Sequence, residues 1–327
     1  MSAWDGKSQG GLLGYRIFVG TLRYAGIGSA YLLLRFVALY YFFFSSKSNA
    51  SSTSFFRNRL GMSRWESIRS RYKNYYLFGQ TLIDRVAVIA GLGKRFTFDF
   101  QGEEHLIDMV KEGKGGMLIS AHIGNWEVAG YLLYRVKTKI NVVMHEAEHE
   151  KIKQLLDKEK GSTVMNIIVL KEDLSHVYAI SMALQRGELI CMHADRFMPQ
   201  AKTISIPFLG KEALFPQGPF AIAVGFKVPV SYVFAMKDSN WHYHLSATPA
   251  KIYAAQRGEK KEVQVERALY DFVSEAEKKV AEYPLQWFNY YDFWNLEATS
   301  SGNPSLQPHQ MRTLKHHKEQ MHSPQAL

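Results

Sequence analysis

Apolar positions fall into one long block near the N-terminus and a series of short blocks after it. The long block runs from Ala25 to Ser45 (AGIGSAYLLLRFVALYYFFFS), close to the roughly 20 residues that a bilayer core demands. Arg35 interrupts it, and Tyr31, Tyr40 and Tyr41 are of the kind that settle at headgroup depth. Basic residues flank it on both sides, so the loop charges set no orientation. No small-residue cleavage site follows Phe44, and a helix lying in an anionic leaflet fits the block better than a clean span. A buried aromatic core helix is the other reading. Ser45–Ser54 (SSKSNASSTS) follows as a polar connector.

From there the period changes. A basic helical stretch covers about Arg64 to Gly91, after which short β-branched runs alternate with amphipathic ones. Strands are predicted at Thr97–Phe100, Gly116–Ala121, Ile140–Met144, Asn166–Leu170, Glu188–His193, Thr203–Ile206, Pro229–Met236 and Trp241–Ala247. Helices are predicted at His105–Lys111, Trp126 to about Val136, Glu148–Lys158, Leu174–Gln185, Pro219–Gly225 and Lys261–Tyr283. This alternation predicts an α/β fold, a mixed and mostly parallel sheet flanked by helices, preceded by the membrane-associated helical segment. The chain divides into residues 1–54 (anchor and connector), 55–300 (the α/β domain) and 301–327, a Pro-, Gln-, His- and Ser-bearing tail without apolar period.

Composition narrows the function. Of 327 residues 46% are hydrophobic, an ordinary globular share. The lone cysteine, Cys191, excludes an internal disulfide framework and a cysteine-rich zinc site. Residues 1–75 hold eleven Lys and Arg against Asp5 and Glu66, which places +9 of the +10 net charge beside the apolar block. Such a surface suits an anionic leaflet or an acidic partner. No nucleic-acid motif accompanies it, so no nucleic-acid partner is expected.

The chemistry concentrates after the second predicted strand, in Ser120-Ala121-His122-Ile123-Gly124-Asn125-Trp126-Glu127. With His122 at the strand end and Gly124 turning the chain, Asn125 is placed to cap the next helix and Glu127 falls in its first turn. From there the carboxylate is within reach of one imidazole nitrogen, which leaves the other as a general base. A plain turn followed by a first-turn acid satisfies the same spacing. His193 and Asp195 lack a third ligand nearby, and no metal or other cofactor is expected. Cys191, inside an apolar strand, reads as a small hydrophobe.

The string HIGNWE resembles the His-x-x-x-x-Asp/Glu signature of membrane acyltransferases, in the HxxNWE form of the late acyltransferases of lipid A biosynthesis. The likeness continues through Leu184–Ile190, Asp195-Arg196, Pro207-Phe208-Leu209-Gly210 ahead of a helix, and Lys227-Val228-Pro229-Val230, covering roughly 98–247. The resemblance implies transfer of a fatty acyl group from acyl carrier protein to a hydroxyl or amine of a lipid acceptor, at the cytoplasmic face of the bacterial inner membrane. It implies His122 and Glu127 as the catalytic pair, with Asn125, Asp195 and Arg196 on the substrate side. Backbone N–H groups near Gly124–Trp126 or Arg196 are the expected oxyanion donors.

Two departures bear on the acceptor. His145 stands where those enzymes tend to carry arginine, and both the aromatic run Pro284–Trp294 and Trp4-Asp5-Gly6-Lys7 look more like the branch linked to aryl-polyene and flexirubin-type lipids. The aromatic run is expected to be a helix packing its rings into the core. Phe215-Pro216-Gln217-Gly218 also resembles a block of the glycerolipid acyltransferases, with Gln217 replacing its acid. Lysophospholipid acylation is therefore one alternative, and a catalytically inactive binder of anionic lipid is another.

Overall fold

The structure is a computed structural model that describes residues 12–145, 165–171, 173, 175–198, 200–255 and 257–294. The helix expected over Glu148–Lys158, the N-terminal Trp4–Lys7 and the tail after Ser300 lie outside these residues. Nine strands are described: β1 (Thr97–Gln101), β2 (Gly116–Ser120), β3 (Ile140–His145), β4 (Met165–Leu170), β5 (Leu189–His193), β6 (Thr203–Phe208), β7 (Lys211–Pro216), β8 (Val230–Lys237) and β9 (His242–Ala247). Seven form one sheet in the order β1-β9-β8-β2-β5-β3-β4. All its pairings are parallel except β8–β9. This is the mixed, mostly parallel sheet that the alternation of periods predicts.

Helices cover both faces, because the inner strands are apolar on both sides. All of β2 is buried. Met117 and Ile119 face a core shared with α6 (Ser175–Gln185), α7 (Gly218–Phe226) and α8 (Lys261–Glu282). Leu118 points the other way, toward Leu106 and Met109 of α4 (Glu103–Lys111). On that side too lies α5 (Trp126–Leu132), continued by a 3-10 turn to Val136.

The N-terminal helix α1 (Leu12–Phe44) bends at Gly26, whose φ of +79° a residue with a Cβ rarely adopts. Beyond the bend it buries Ile27, Ala30, Tyr31, Leu34 and Ala38, a stripe at helical spacing. The stripe packs on α3 (Arg64–Ile89), where Gly79 lets Leu34 approach so closely that a Cβ would lie 2.2 Å from its Cδ1. The opposite face exposes Leu32, Phe36, Tyr40, Phe43 and Phe44.

Three sequence expectations need correction. Ser45–Ser54 is not an irregular connector: Ser46–Ser54 forms helix α2, and Phe55–Arg59 a single π-helical turn. With no apolar period of its own, α2 is held by polar contacts to α3: Arg71 Nη1 donates to Thr53 Oγ1 (2.9 Å) and Tyr75 OH to Asn49 Oδ1 (3.2 Å). The π turn drives Phe55 and Phe56 into the core. Second, Pro207–Gly210 does not lead into a helix. It turns back into β7, antiparallel to β6, through Leu209 (φ +50°) and Gly210 (φ +78°). Left-handed values at both central positions mark the hairpin turn that follows strand twist, and leucine is an unusual occupant. Third, the aromatic run does pack into the core, but after a 3-10 turn at Pro284–Gln286 it is not helical. Trp287 lies 4.8 Å from Phe55 and 5.5 Å from Phe208 between ring centroids.

A buried ion pair joins the N-terminal helices to the sheet. Lys237 Nζ, on β8, lies 2.5 Å from Asp84 Oδ2 on α3 and 3.0 Å from the Asn240 carbonyl. The hydroxyls of Tyr31 (α1) and Tyr243 (β9) donate to the same carboxylate. Lys237→Ala is expected to destabilise the protein by about 3–5 kcal/mol, because Asp84 is left buried without its counter-charge. Removing the exposed Lys111–Asp108 pair should cost under about 1 kcal/mol. Urea unfolding of the two variants checks the contrast.

Candidate active site

Strand register assembles the site. β2 and β5 are parallel neighbours with Ser120 opposite His193, and the ladder runs on through the Ala194 N–H to the Ser120 carbonyl at 2.9 Å. The next residues out are His122 and Asp195, side by side at the carboxyl ends of two central strands, the usual ligand crevice of an open α/β sheet. Asp195 takes both hydrogen bonds that His122 offers it. Its Oδ1 lies 2.8 Å from the imidazole Nδ1, and its Oδ2 accepts the His122 backbone N–H at 2.9 Å. The imidazole is 17% exposed and the carboxylate 6%, so the acid sits behind the base.

That geometry gives the imidazole a different partner from the expected one. Glu127 is in the first turn of α5 as predicted, but it forms an ion pair with Arg85 of α3, and the carboxylate on the imidazole is Asp195's. A first-turn side chain points along α5 toward its flank, whereas the strand register brings Asp195 into the plane of His122. Asn125 does cap α5, its Oδ1 accepting the Val128 N–H at 3.3 Å. Its amide donates to the Thr81 carbonyl and the Tyr243 hydroxyl, and it is buried at 2% exposure. Arg196 is half-buried, with Nη2 on the Phe288 carbonyl (2.9 Å).

The turn itself is bound from below. Gly124 has φ +70°, and a Cβ there would come 2.1 Å from the Ala235 carbonyl oxygen, so only glycine fits. Its N–H donates to the Gln286 carbonyl and that of Asn125 to the Ala235 carbonyl. The Gln286 side chain bonds both backbone groups of Lys237, at 2.9 and 2.8 Å. The strand turn therefore rests on β8 and on the aromatic segment, and it offers neither N–H to a ligand.

His193 is the residue that sequence reasoning passed over, having weighed it only as a metal ligand. Its ring lies 4.3 Å from that of His122 and 5.0 Å from that of Trp126. Both His193 and Trp126 line a cavity between α5 and the sheet, whose other walls include Leu118, Val142, Cys191 and Val233. Alternation along β5 was the available signal: Cys191 and His193 must share a face, two residues from the acid.

Electrostatics follow from burial. Loss of water alone would push the Asp195 carboxyl up, but His122 and Arg196 beside it hold it well below the usual carboxylate range. Burial, reinforced by His122, holds His193 well below an ordinary histidine, so it is neutral. Burial pushes the Cys191 thiol up to about 12, so the cavity cysteine is a thiol and no nucleophilic thiolate. Among the described residues, the set that could hold a metal ion is Asp99 of β1, His242 of β9 and Asp238, which directly follows β8.

The imidazole of His122, with Nδ1 on a buried, ionised carboxylate, thus stands next to an apolar cavity. Residues 72–294 match the model of the bacterial lipid A biosynthesis acyltransferases, and the chain belongs to that family. A phosphatidylinositol mannoside acyltransferase of Mycobacterium tuberculosis is 24% identical over 124 residues, 38% of this chain. That match spans 39% of the mycobacterial protein's length.

The depressed Asp195 carboxyl has a pH consequence. Its ionised form stabilises the fold fully above the unfolded value, about pH 4, and that stabilisation is lost as the pH falls toward the folded value. The stability gap between wild type and Asp195→Asn should thus be widest above about pH 4 and narrow below it, read by urea unfolding across the acid range. A gap that ignores pH would mean the carboxylate is not held ionised.

Proposed function

We propose that the chain moves a fatty acyl group from an acyl carrier protein thioester to a hydroxyl or amine of a lipid acceptor, lipid A-like or pigment-lipid, on the cytoplasmic face of a bacterial inner membrane. The observation that carries this reading is the His122–Asp195 pair next to the apolar cavity, in a chain of the lipid A acyltransferase family. His122 takes the acceptor's proton as its oxygen or nitrogen attacks the acyl carbonyl. Asp195 fixes the imidazole through Nδ1 and stabilises the imidazolium that forms. Glu127, through Arg85, holds α5 against α3 at the edge of the site. The acyl chain lies in the cavity beneath α5.

Membrane attachment follows from α1. One side of it is committed to α3 from Leu22 to Ala38, so lipid reaches only the face bearing Leu32, Phe36, Tyr40, Phe43 and Phe44. A helix wetted by lipid on one side lies in the interface, and the N-terminal basic charge adds attraction to anionic headgroups. A second reading keeps the chemistry and exchanges the acceptor for a phospholipid-derived one. The name of the mycobacterial relative supports it.

Three outcomes are expected. His122→Ala abolishes acyl transfer, and lipid mass spectrometry of cells lacking the protein shows an acyl group restored by wild type but not by this variant. The mass difference identifies acyl chain and acceptor, and restoration by His122→Ala refutes catalysis by the histidine. Asp195→Asn lowers kcat by about 10²–10⁴-fold, whereas Glu127→Gln has the smaller effect of a weakened support. The reverse ranking in a purified assay would return Glu127 to the catalytic pair. Phe36→Asp with Phe43→Asp reduces flotation with anionic vesicles without altering the melting temperature.

A further inference from the structure

We infer that His193 is the oxyanion donor of the site: a second histidine that touches the reacting acyl carbonyl and does the work usually given to backbone N–H groups at such a turn. The inference rests on the acyl-transfer reading and adds a residue to it.

The turn after β2 is where backbone donors are expected, and three of them are already engaged. The N–H of His122 is on Asp195, that of Gly124 on the Gln286 carbonyl and that of Asn125 on the Ala235 carbonyl. Arg196 directs Nη2 at the Phe288 carbonyl. His193 is in the opposite condition. It makes no hydrogen bond with the described residues, and its contacts are the rings of His122 and Trp126. A half-buried imidazole that lines a cavity and makes no hydrogen bond with the described residues has its donor available to a ligand there.

Position and charge agree. His193 is one of the few polar groups lining an apolar cavity, at its His122 end. An acyl chain filling that cavity brings its carbonyl carbon to the boundary between the two rings. Burial and the neighbouring His122 keep His193 neutral, so it holds one N–H to give and does not compete for the acceptor's proton.

The step balances without a further reactant. The acceptor's proton passes to His122 Nε2 as its oxygen, or nitrogen, bonds to the carbonyl carbon of the acyl thioester. The carbonyl π pair moves onto oxygen, which accepts the His193 N–H. When the C=O bond re-forms, the C–S bond breaks, and the departing thiolate takes the proton back from the His122 imidazolium. His193 gives up no proton at any stage. It strengthens one hydrogen bond as charge develops, which is differential stabilisation of the transition state.

The test compares wild type, His122→Ala, His193→Phe, His193→Leu and His193→Gln, with an acyl thioester donor and a lipid acceptor. Phenylalanine and leucine keep apolar bulk against Trp126 and remove the N–H, while glutamine restores a donor. The expected result is a fall in kcat of about 10²–10³-fold for the Phe and Leu variants, the usual size for a lost oxyanion donor. KM for the donor and the affinity for a non-reactive acyl thioether should be little changed. Glutamine should recover part of the loss. Near-wild-type kcat in either apolar variant, or glutamine as slow as both with melting temperatures intact, overturns the inference. The control separates the two levels. Activity lost in His122→Ala but kept in His193→Phe sinks only the oxyanion donor, whereas activity kept in His122→Ala sinks the acyl-transfer reading itself.

Discussion

The ion pair between Lys237 and Asp84 is the contact on which the rest of this architecture depends. Both side chains are essentially sealed from water, at 1% and 0% exposure, where a lone charge costs several kcal/mol and only a partner with good geometry makes it tolerable. Their partners come from α1, α3, β8 and β9, so the pair forms only when the N-terminal helices are docked against the sheet. Tyr243 extends the set to Asn125, the cap of α5, at 3.1 Å. A continuous chain of hydrogen bonds therefore runs from Tyr31 on the apolar helix to the turn that carries His122.

Above that support, the candidate site is an outcome of strand register. His122 and Asp195 are 73 residues apart in sequence and meet because Ser120 pairs with His193 on neighbouring parallel strands. Sliding β5 by one residue would put Ala194 or Arg196 beside the imidazole and turn His193 out of its cavity, since side chains alternate across a sheet. Packing of Met117 and Ile119 against α6 and α8 resists that slip. The core and the base–acid pair are therefore specified by the same ladder.

The placement of α5 gives the signature motif its split duties. In HIGNWE only His122 and Trp126 face the cleft side. Ile123 is core, Gly124 permits the turn, Asn125 caps, and Glu127 ties α5 to Arg85. A motif that reads as a string of catalytic residues is, in space, one histidine at a strand end followed by residues that turn the chain, cap the helix and tie it to α3.

The sequence by itself determined the alternating strands and helices, the α/β class, the apolar N-terminal helix and the place of His122 at a strand end. Each is a matter of local periodicity or of a short string, which a chain expresses without knowing its neighbours. Only the tertiary structure decided that Asp195 partners His122, that Glu127 belongs to Arg85, that Asn125 is buried and that His193 faces the cleft. Each depends on which strands are adjacent and in what register. The same holds for α2, helical without an apolar period because α3 supplies its contacts, and for the Leu209-Gly210 hairpin, whose turn is imposed by the pairing of β6 with β7. Local pattern sets which element forms. Which side chains meet is set by long-range pairing, and a carboxylate five residues from a histidine loses to one 73 residues away when the sheet brings the distant one closer.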